Sequence, residues 1–393
     1  MDREQFAASV IETLGAYGVM DAEYVPAEFS VRHSGSHMLF LGNVFQDCDG
    51  LPPEEQRGLI ARFVEAIIDP DVTPENWDEV RPLLRAVLRP ITYGMEWDSG
   101  AGMLTRPAFP FVNEAVVVDL PRSRTYVSMR AVLEWGVDPE AVFACARANL
   151  AELAMPGSPD DLHYTRMVDG GDAYAVSWLL VPGWLASYGG GEHRPVAFIP
   201  EDNTLLILPD DPDLLEKAFE SIEDEYGQAT RRISPQAYTI DDSGMVVPLD
   251  WLESHPARAH ALRARCGLAV TEYGVQTRFL NEKFEQDLDL RPYSDVEVAF
   301  PSTVAYQDSI DGPVTSAVCG EGIEYLLPEA DYLHFVRADA DGDVELICTV
   351  PFDDAMEILG LIPIQGLNPP RFELRQWPDT NTLELLCERS VTL

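Results

Sequence analysis

Apolar residues recur at helical spacing from the start of the chain. Phe6, Val10, Ile11, Leu14 and Tyr17 share one face, which predicts a helix over 6–17. Residues 29–44 read as extended, with Met38-Leu39-Phe40-Leu41 as their apolar centre. Pro52 and Pro53 open a second helix, whose stripe of Leu59, Ile60, Phe63, Val64 and Ile67 ends near Pro70. Residues 83–92 fit a helix or a strand equally. Residues 116–120 and 125–129 read as two strands around the turn Pro121-Arg122-Ser123.

The strongest helix signal follows. Asp138 is a natural N-cap and Pro139 falls at the first helical position, where its missing N–H costs nothing. Val142, Cys145, Ala146, Asn149, Leu150 and Leu153 then fall on one face, and Met155-Pro156-Gly157 stops the helix. Residues 162–168 and 173–177 read as a strand pair, and 178–188 as an apolar helix interrupted at Pro182-Gly183. Gly189-Gly190-Gly191 reads as a loop. A hairpin is expected over 195–200 and 204–208. Asp211-Pro212 then repeats the cap-plus-proline device for a helix burying Leu214, Leu215, Ala218, Phe219 and Ile222. Another hairpin spans 237–240 and 245–248, turning at Asp241-Asp242-Ser243-Gly244.

A basic, alanine-rich helix over 258–266 marks the expected domain boundary. Beyond it the texture becomes strand-like at 296–300, 314–318, 332–338, 344–350, 372–376 and 383–386, with one short helix at 352–359. The fold class is therefore α+β: an N-terminal mixed helix and sheet domain over 1–255, then a smaller sheet-rich α+β domain over 256–393.

Charge narrows the partners. Among 393 residues, 67 acids against 27 bases leave a net charge of −40, and Lys217 and Lys283 are the lysines. Such a field repels phosphate backbones and anionic lipid surfaces, so nucleic acid and membrane are excluded as expected partners. A protein partner with a basic surface remains compatible. No apolar run approaches the roughly 20 residues of a membrane span, and the first ten residues read as a charged helix start, which together suggest a cytoplasmic protein. Cys48, Cys145, Cys266, Cys319, Cys348 and Cys387 are scattered, and read as small buried hydrophobes.

Motifs with their own chemistry are missing. No phosphate-cradling glycine loop, H-E-x-x-H pair or G-x-S-x-G elbow occurs, so no cofactor and no metal are expected. Asp339-Ala340-Asp341-Gly342-Asp343 has its glycine too early for a calcium loop and Val350 where a bidentate Glu belongs; a hairpin turn is expected there. His33 and His37 flank Ser34-Gly35-Ser36, again a turn. Asn149, on an apolar stripe, must find hydrogen-bond partners or project into a pocket.

The segment Ala146-Arg147-Ala148-Asn149-Leu150 resembles the A-x-x-N-L element of the YtpQ-like family, bacterial proteins sharing a domain of unknown function. Tyr174-Ala175-Val176-Ser177 resembles that family's Y-D-A-S, and 195–208 its P-x-x-D hairpin, all within residues 1–255. Ala175 and Asn203 stand where the family pattern has Asp. The resemblance implies a fold and no mechanism.

Three functions follow. The first is a non-enzymatic protein-binding or regulatory module. The second is a hydrolase or transferase with a site assembled from dispersed residues, for which Asn149, Ser177 and Asn203 are the candidates. The third is a small-ligand binder using Trp178, Trp184 and Tyr188.

Overall fold

The computed structural model describes residues 2–26, 29–33, 37–48, 50–69, 72–95, 102–121, 123–169, 174–190, 193–290, 299–310, 312–338 and 343–393. The fold is mixed α+β, with several small sheets. The chain divides into two compact units: residues 1–85 with 117–126, and residues 86–116 with 127–393. The boundary expected near residue 255 lies inside the second unit.

The first unit is a helix pair with a small sheet. Asp2 caps the helix Arg3–Ala16 by accepting from Gln5 N, while the Gln5 side chain accepts from Asp2 N. That helix buries Phe6, Ala7, Val10 and Leu14 with Ile60 and Val64 of the helix Pro53–Ile68. Glu23–Val25, Ser30–His33 and His37–Phe40 form an antiparallel sheet in which His33 stands opposite His37; the turn expected at Ser34-Gly35-Ser36 lies outside the described residues. The extension expected to 44 instead ends at a short helix, Gly42–Asp47. Phe45 of that helix packs edge-on against Phe6 and Phe29. In the same unit Val117–Asp119 pair with Arg124–Tyr126, as the hairpin pattern predicts.

The second unit contains an antiparallel sheet with the order Val246–Pro248, Arg232–Ile240, Pro195–Glu201, Thr204–Pro209, Thr165–Val168. Its covered face packs on the acidic helix Pro212–Gln228 and on the start of a long helix, Arg258–Leu290. Val196, Phe198, Leu206, Phe219, Ile222 and Ala261 meet there. Each large side chain so buried contributes about 1.5–3 kcal/mol. A four-stranded sheet (Ala305–Ser309, Gly312–Gly320, Tyr332–Ala338, Val344–Pro351) and a three-stranded one (Phe300–Pro301, Tyr325–Pro328, Arg371–Leu374) complete the unit. The 332–338 and 344–351 strands pair antiparallel, while the calcium-like residues 339–342 between them lie outside the described residues.

The long helix explains why residue 255 is no boundary. Arg265 reaches Asp250 Oδ2 at 3.3 Å and Asp331 Oδ1 at 3.4 Å, joining segments on both sides of the expected cut. Asp331 in turn accepts two 2.7 Å hydrogen bonds from Thr315, one from its amide and one from its hydroxyl.

Several elements differ from expectation. Residues 175–180 form a 3-10 helix, not a strand, because Tyr174 takes a left-handed conformation (φ 58°) that turns the chain before it can pair. The strand Thr165–Val168 pairs with Thr204–Pro209 instead. The helix expected over 178–188 is two 3-10 turns separated at Pro182-Gly183, where Gly183 has φ 74°. Residues 83–92 resolve as the strand Leu84–Pro90. Residues 383–386 belong to the helix Thr380–Glu388, started by Asp379, whose side chain accepts from Thr382 N. The helix expected over 258–266 continues to Leu290. Most of the expected strand 296–300 lies outside the described residues.

Candidate functional site

The residues singled out from sequence do not converge on one cavity. Asp138 caps its helix as expected, accepting from Glu140 N at 2.8 Å. That helix buries Val142, Phe143, Ala146 and Leu150, which leaves Asn149 half-buried at the edge of the face, its amide 4.0 Å from Cys145 Sγ. Ser177 is buried, and its hydroxyl accepts from Leu88 N at 3.1 Å. Asn203 sits in the hairpin turn, where its carbonyl accepts from Asp169 N and its side chain from the Thr204 hydroxyl. Trp178, Trp184 and Tyr188 stack edge-on in succession at 5.4 and 5.5 Å, and Trp184 Nε1 donates to the Met155 carbonyl. These aromatics are core, and the Trp184 indole N–H is satisfied.

A pocket of about 560 Å³ opens elsewhere, between the acidic helix, the long helix and the strand Arg232–Ile240, and none of those six candidates lines it. Local sequence explains how each wall forms. From the acidic helix come Phe219 and Tyr226, buried, with Glu220, Glu223 and Gly227 exposed at the rim. These lie three and four residues apart, so they share a side of the helix. The strand supplies Arg232 and Pro235. A proline within a strand is tolerated at a bulge, and the pairing with Pro195–Glu201 shifts register between Ser234 and Ala237. Ser234 Oγ holds the bulge by accepting from Gln236 N and from the Tyr238 hydroxyl.

The long helix supplies the third wall through His260, Arg263, Ala264, Gly267 and Thr271. The small residues Ala264 and Gly267 leave the space. A Cβ built on Gly267 would meet nothing within 4 Å, so packing does not require glycine there. His260 stacks on Phe219 with ring centroids 5.8 Å apart and planes 19° from parallel. Asp308 and Pro313 close the far side, Asp308 lying 3.9 Å from Arg263.

Tyr226 is the most informative side chain of the pocket. It is 6% exposed, and its hydroxyl lies beside that of Thr271, which favours the ionised form, without a hydrogen bond of ordinary geometry. The neighbouring Thr271 hydroxyl donates instead to the Gly267 carbonyl at 2.9 Å. Burial, with Glu272 nearby, pushes the phenol well above its ordinary value, so it stays a neutral donor. The Arg232 guanidinium lies over the Tyr226 ring at 5.7 Å, and its Nε donates to the Ala229 carbonyl. An orphaned phenol in an aromatic cleft can donate to a ligand. It has no base poised against it.

Tyr226 is not alone in this: Ser30, Arg85, Asn113, Gln236 and Ser302 also each leave a buried side-chain atom without a hydrogen-bond partner, while the buried carboxylates Glu114 and Glu272 are engaged within the fold. Glu114 is fully buried between Arg106 and Arg147, at 2.6 Å from each. Glu272 Oε2 accepts from Thr92 N and Thr92 Oγ1, and burial raises its carboxyl above the ordinary value against those bonds. Among the described residues no three His, Cys, Asp or Glu side chains gather as a metal ion requires. Among them, too, no helix is long and apolar enough to cross a membrane.

Comparison with family models, curated proteins and solved structures finds no match for this chain. The site must be read from its geometry. Sequence reasoning missed it because its polar residues come from four separated segments.

Proposed function

We propose that this protein binds a small organic molecule in the pocket between the acidic helix and the long helix. This keeps the non-catalytic binding role suggested by the sequence and assigns it a small ligand in place of a macromolecule. The observation that carries the reading is the 560 Å³ cleft itself, lined by Phe219 and Tyr226 and bordered by charged residues of separate elements. That volume falls in the roughly 300–1,000 Å³ range of ligand sites; the aromatic side chains Phe219 and Tyr226 are joined there by five charged residues. An unsatisfied buried hydroxyl costs about 1–3 kcal/mol, which a bound acceptor would relieve.

The resemblance to the YtpQ-like family adds a fold expectation for residues 1–255 and no chemistry for this pocket, whose wall extends past residue 255. Dispersed-site hydrolysis or group transfer has less support, since Asn149, Ser177 and Asn203 are engaged in separate local contacts.

The test uses thermal unfolding of the full chain and of Gly267→Leu, whose side chain would fill the cleft. A panel of small amines, alcohols and carboxylates is screened against both. Compounds that raise the melting temperature of the parent and not of Gly267→Leu are expected. A panel that stabilises neither, or both equally, would remove the proposal.

A further inference from the structure

We infer that the ligand is an organic cation: an ammonium group carried on an apolar or aromatic body. This rests on the pocket reading above and names the chemistry that the pocket selects.

The charges at the rim decide the sign. Glu220, Glu223 and Asp308 face Arg232 and Arg263 across the opening, three anions against two cations. The cations are partly engaged: Arg263 lies 3.9 Å from Asp308, and Arg232 covers the Tyr226 ring with its Nε on the Ala229 carbonyl. Among the described residues, the side chains of Glu220 and Glu223 have no ion-pair or hydrogen-bond partner. They stand three residues apart on one helix, where like charges repel. Lys217, one turn before Glu220, pairs with neither. Two unpaired carboxylates thus flank the mouth of a cleft whose wall holds an unpaired phenol.

The whole molecule acts in the same direction. A net charge of −40 raises the local concentration of cations near every surface, and a concave site with low-dielectric walls focuses that field. Inside, Phe219 is stacked on His260 and Tyr226 carries Arg232, and both rings line the cleft with apolar surface for the body of a ligand. The ammonium would lie toward Glu220 and Glu223, the body against the Phe219–His260 stack, and an acceptor on the body against the Tyr226 hydroxyl. A carboxylate in the same place would meet Glu220 and Glu223 at close range.

Three probes of one shape separate charge from fit: naphthylethylamine, naphthylethanol and naphthylpropionate, followed by fluorescence titration of the full chain at low salt. The amine is expected to bind about fivefold or more tighter than the alcohol, the scale of exposed ion pairs acting together, and the carboxylate weakest. The double variant Glu220→Gln, Glu223→Gln should bring the amine down to the alcohol and leave the alcohol unchanged. Raising salt to about 0.5 M should narrow the same gap. Equal binding of amine and alcohol, or tighter binding of the carboxylate, would overturn the cation while leaving the pocket in place. No binding of the amine overturns it as well. Binding of all three that Gly267→Leu fails to disturb would overturn the pocket itself.

Discussion

Arg371 Nε donates to Gln276 Oε1 at 2.6 Å, and this bond joins the last strand of the three-stranded sheet to the middle of the long helix. Arg371 is fully buried with no carboxylate beside it. Its other donors reach the carbonyls of Ser302, Leu326 and Tyr273 and the Thr277 hydroxyl, and its charge lies 5.4 Å from the Tyr273 ring centre. Burial lowers its pKa to about 10, still well above neutral, so the guanidinium stays charged. A guanidinium offers five donors in a fixed fork, and here acceptors from three segments take up that fork.

Replacing Arg371 should therefore be costly. Arg371→Met strands Gln276 Oε1, Thr277 and several carbonyls, and about 3 kcal/mol or more of stability should be lost. Arg371→Lys keeps the charge but offers three donors on one atom, and should lose nearly as much. Urea unfolding of the full chain measures both. A loss under about 1 kcal/mol for either variant would show that the network contributes little.

The Tyr226 hydroxyl predicts an effect of opposite sign. Because it is buried without a partner, Tyr226→Phe should leave the ligand-free protein as stable as the parent or raise its stability by about 1 kcal/mol. The same change should weaken any ligand that accepts from the phenol. Loss of stability in the free protein would mean that the hydroxyl is bonded after all.

Glu272 gives a pH dependence. Burial holds its carboxyl above the ordinary value, with the hydrogen bonds from Thr92 pulling the other way. As pH falls, the folded chain takes up this proton before the unfolded chain does. The ionised group therefore opposes folding at neutral pH, and the opposition fades as pH falls through the raised value toward the ordinary glutamate range. Glu272→Gln should be more stable than the parent at pH 7, with the difference vanishing on acidification. Chemical unfolding across pH 4–8 reads it, and a variant less stable than the parent at pH 7 would reverse the assignment.

Cutting the chain after residue 255 tests the role of the long helix. Ala257 and Ala261 belong to the core of the five-stranded sheet, and Asp250, buried, is 3.3 Å from Arg265. A fragment 1–255 exposes that core face and leaves a buried carboxylate without its cation, a loss of several kcal/mol. Its unfolding should be broad or shifted to much lower urea. A cooperative transition matching the full chain would restore an independent domain ending at 255.

What could be read from the sequence depended on whether the signal was local. Asp138 and Asp211 announced their helices because a cap and its amide lie two or three residues apart. The hairpin turning at 201–203 was equally legible from alternation and turn residues. Leu214 was placed inward and is 39% exposed, an error of one position on a correctly found helix. The long helix was lost after Cys266 for a physical reason. Its buried stripe continues through Leu262, Cys266, Ala269, Tyr273, Gln276 and Leu280, but Glu272, Gln276 and Thr277 are polar and break the apolar period. Their partners Thr92 and Arg371 lie about a hundred or more positions away.

Local chemistry, read along the chain, determined the α+β class, most helix starts, the hairpins and the strongly anionic surface. Tertiary structure alone decided which buried polar residues are satisfied and that Tyr226 is not. It also decided that Glu220, Arg232, Gly267 and Asp308 surround one cleft. Capping and alternation act between near neighbours and leave a record in sequence order. A cleft is made by the spacing of packed elements, and no residue carries that spacing by itself.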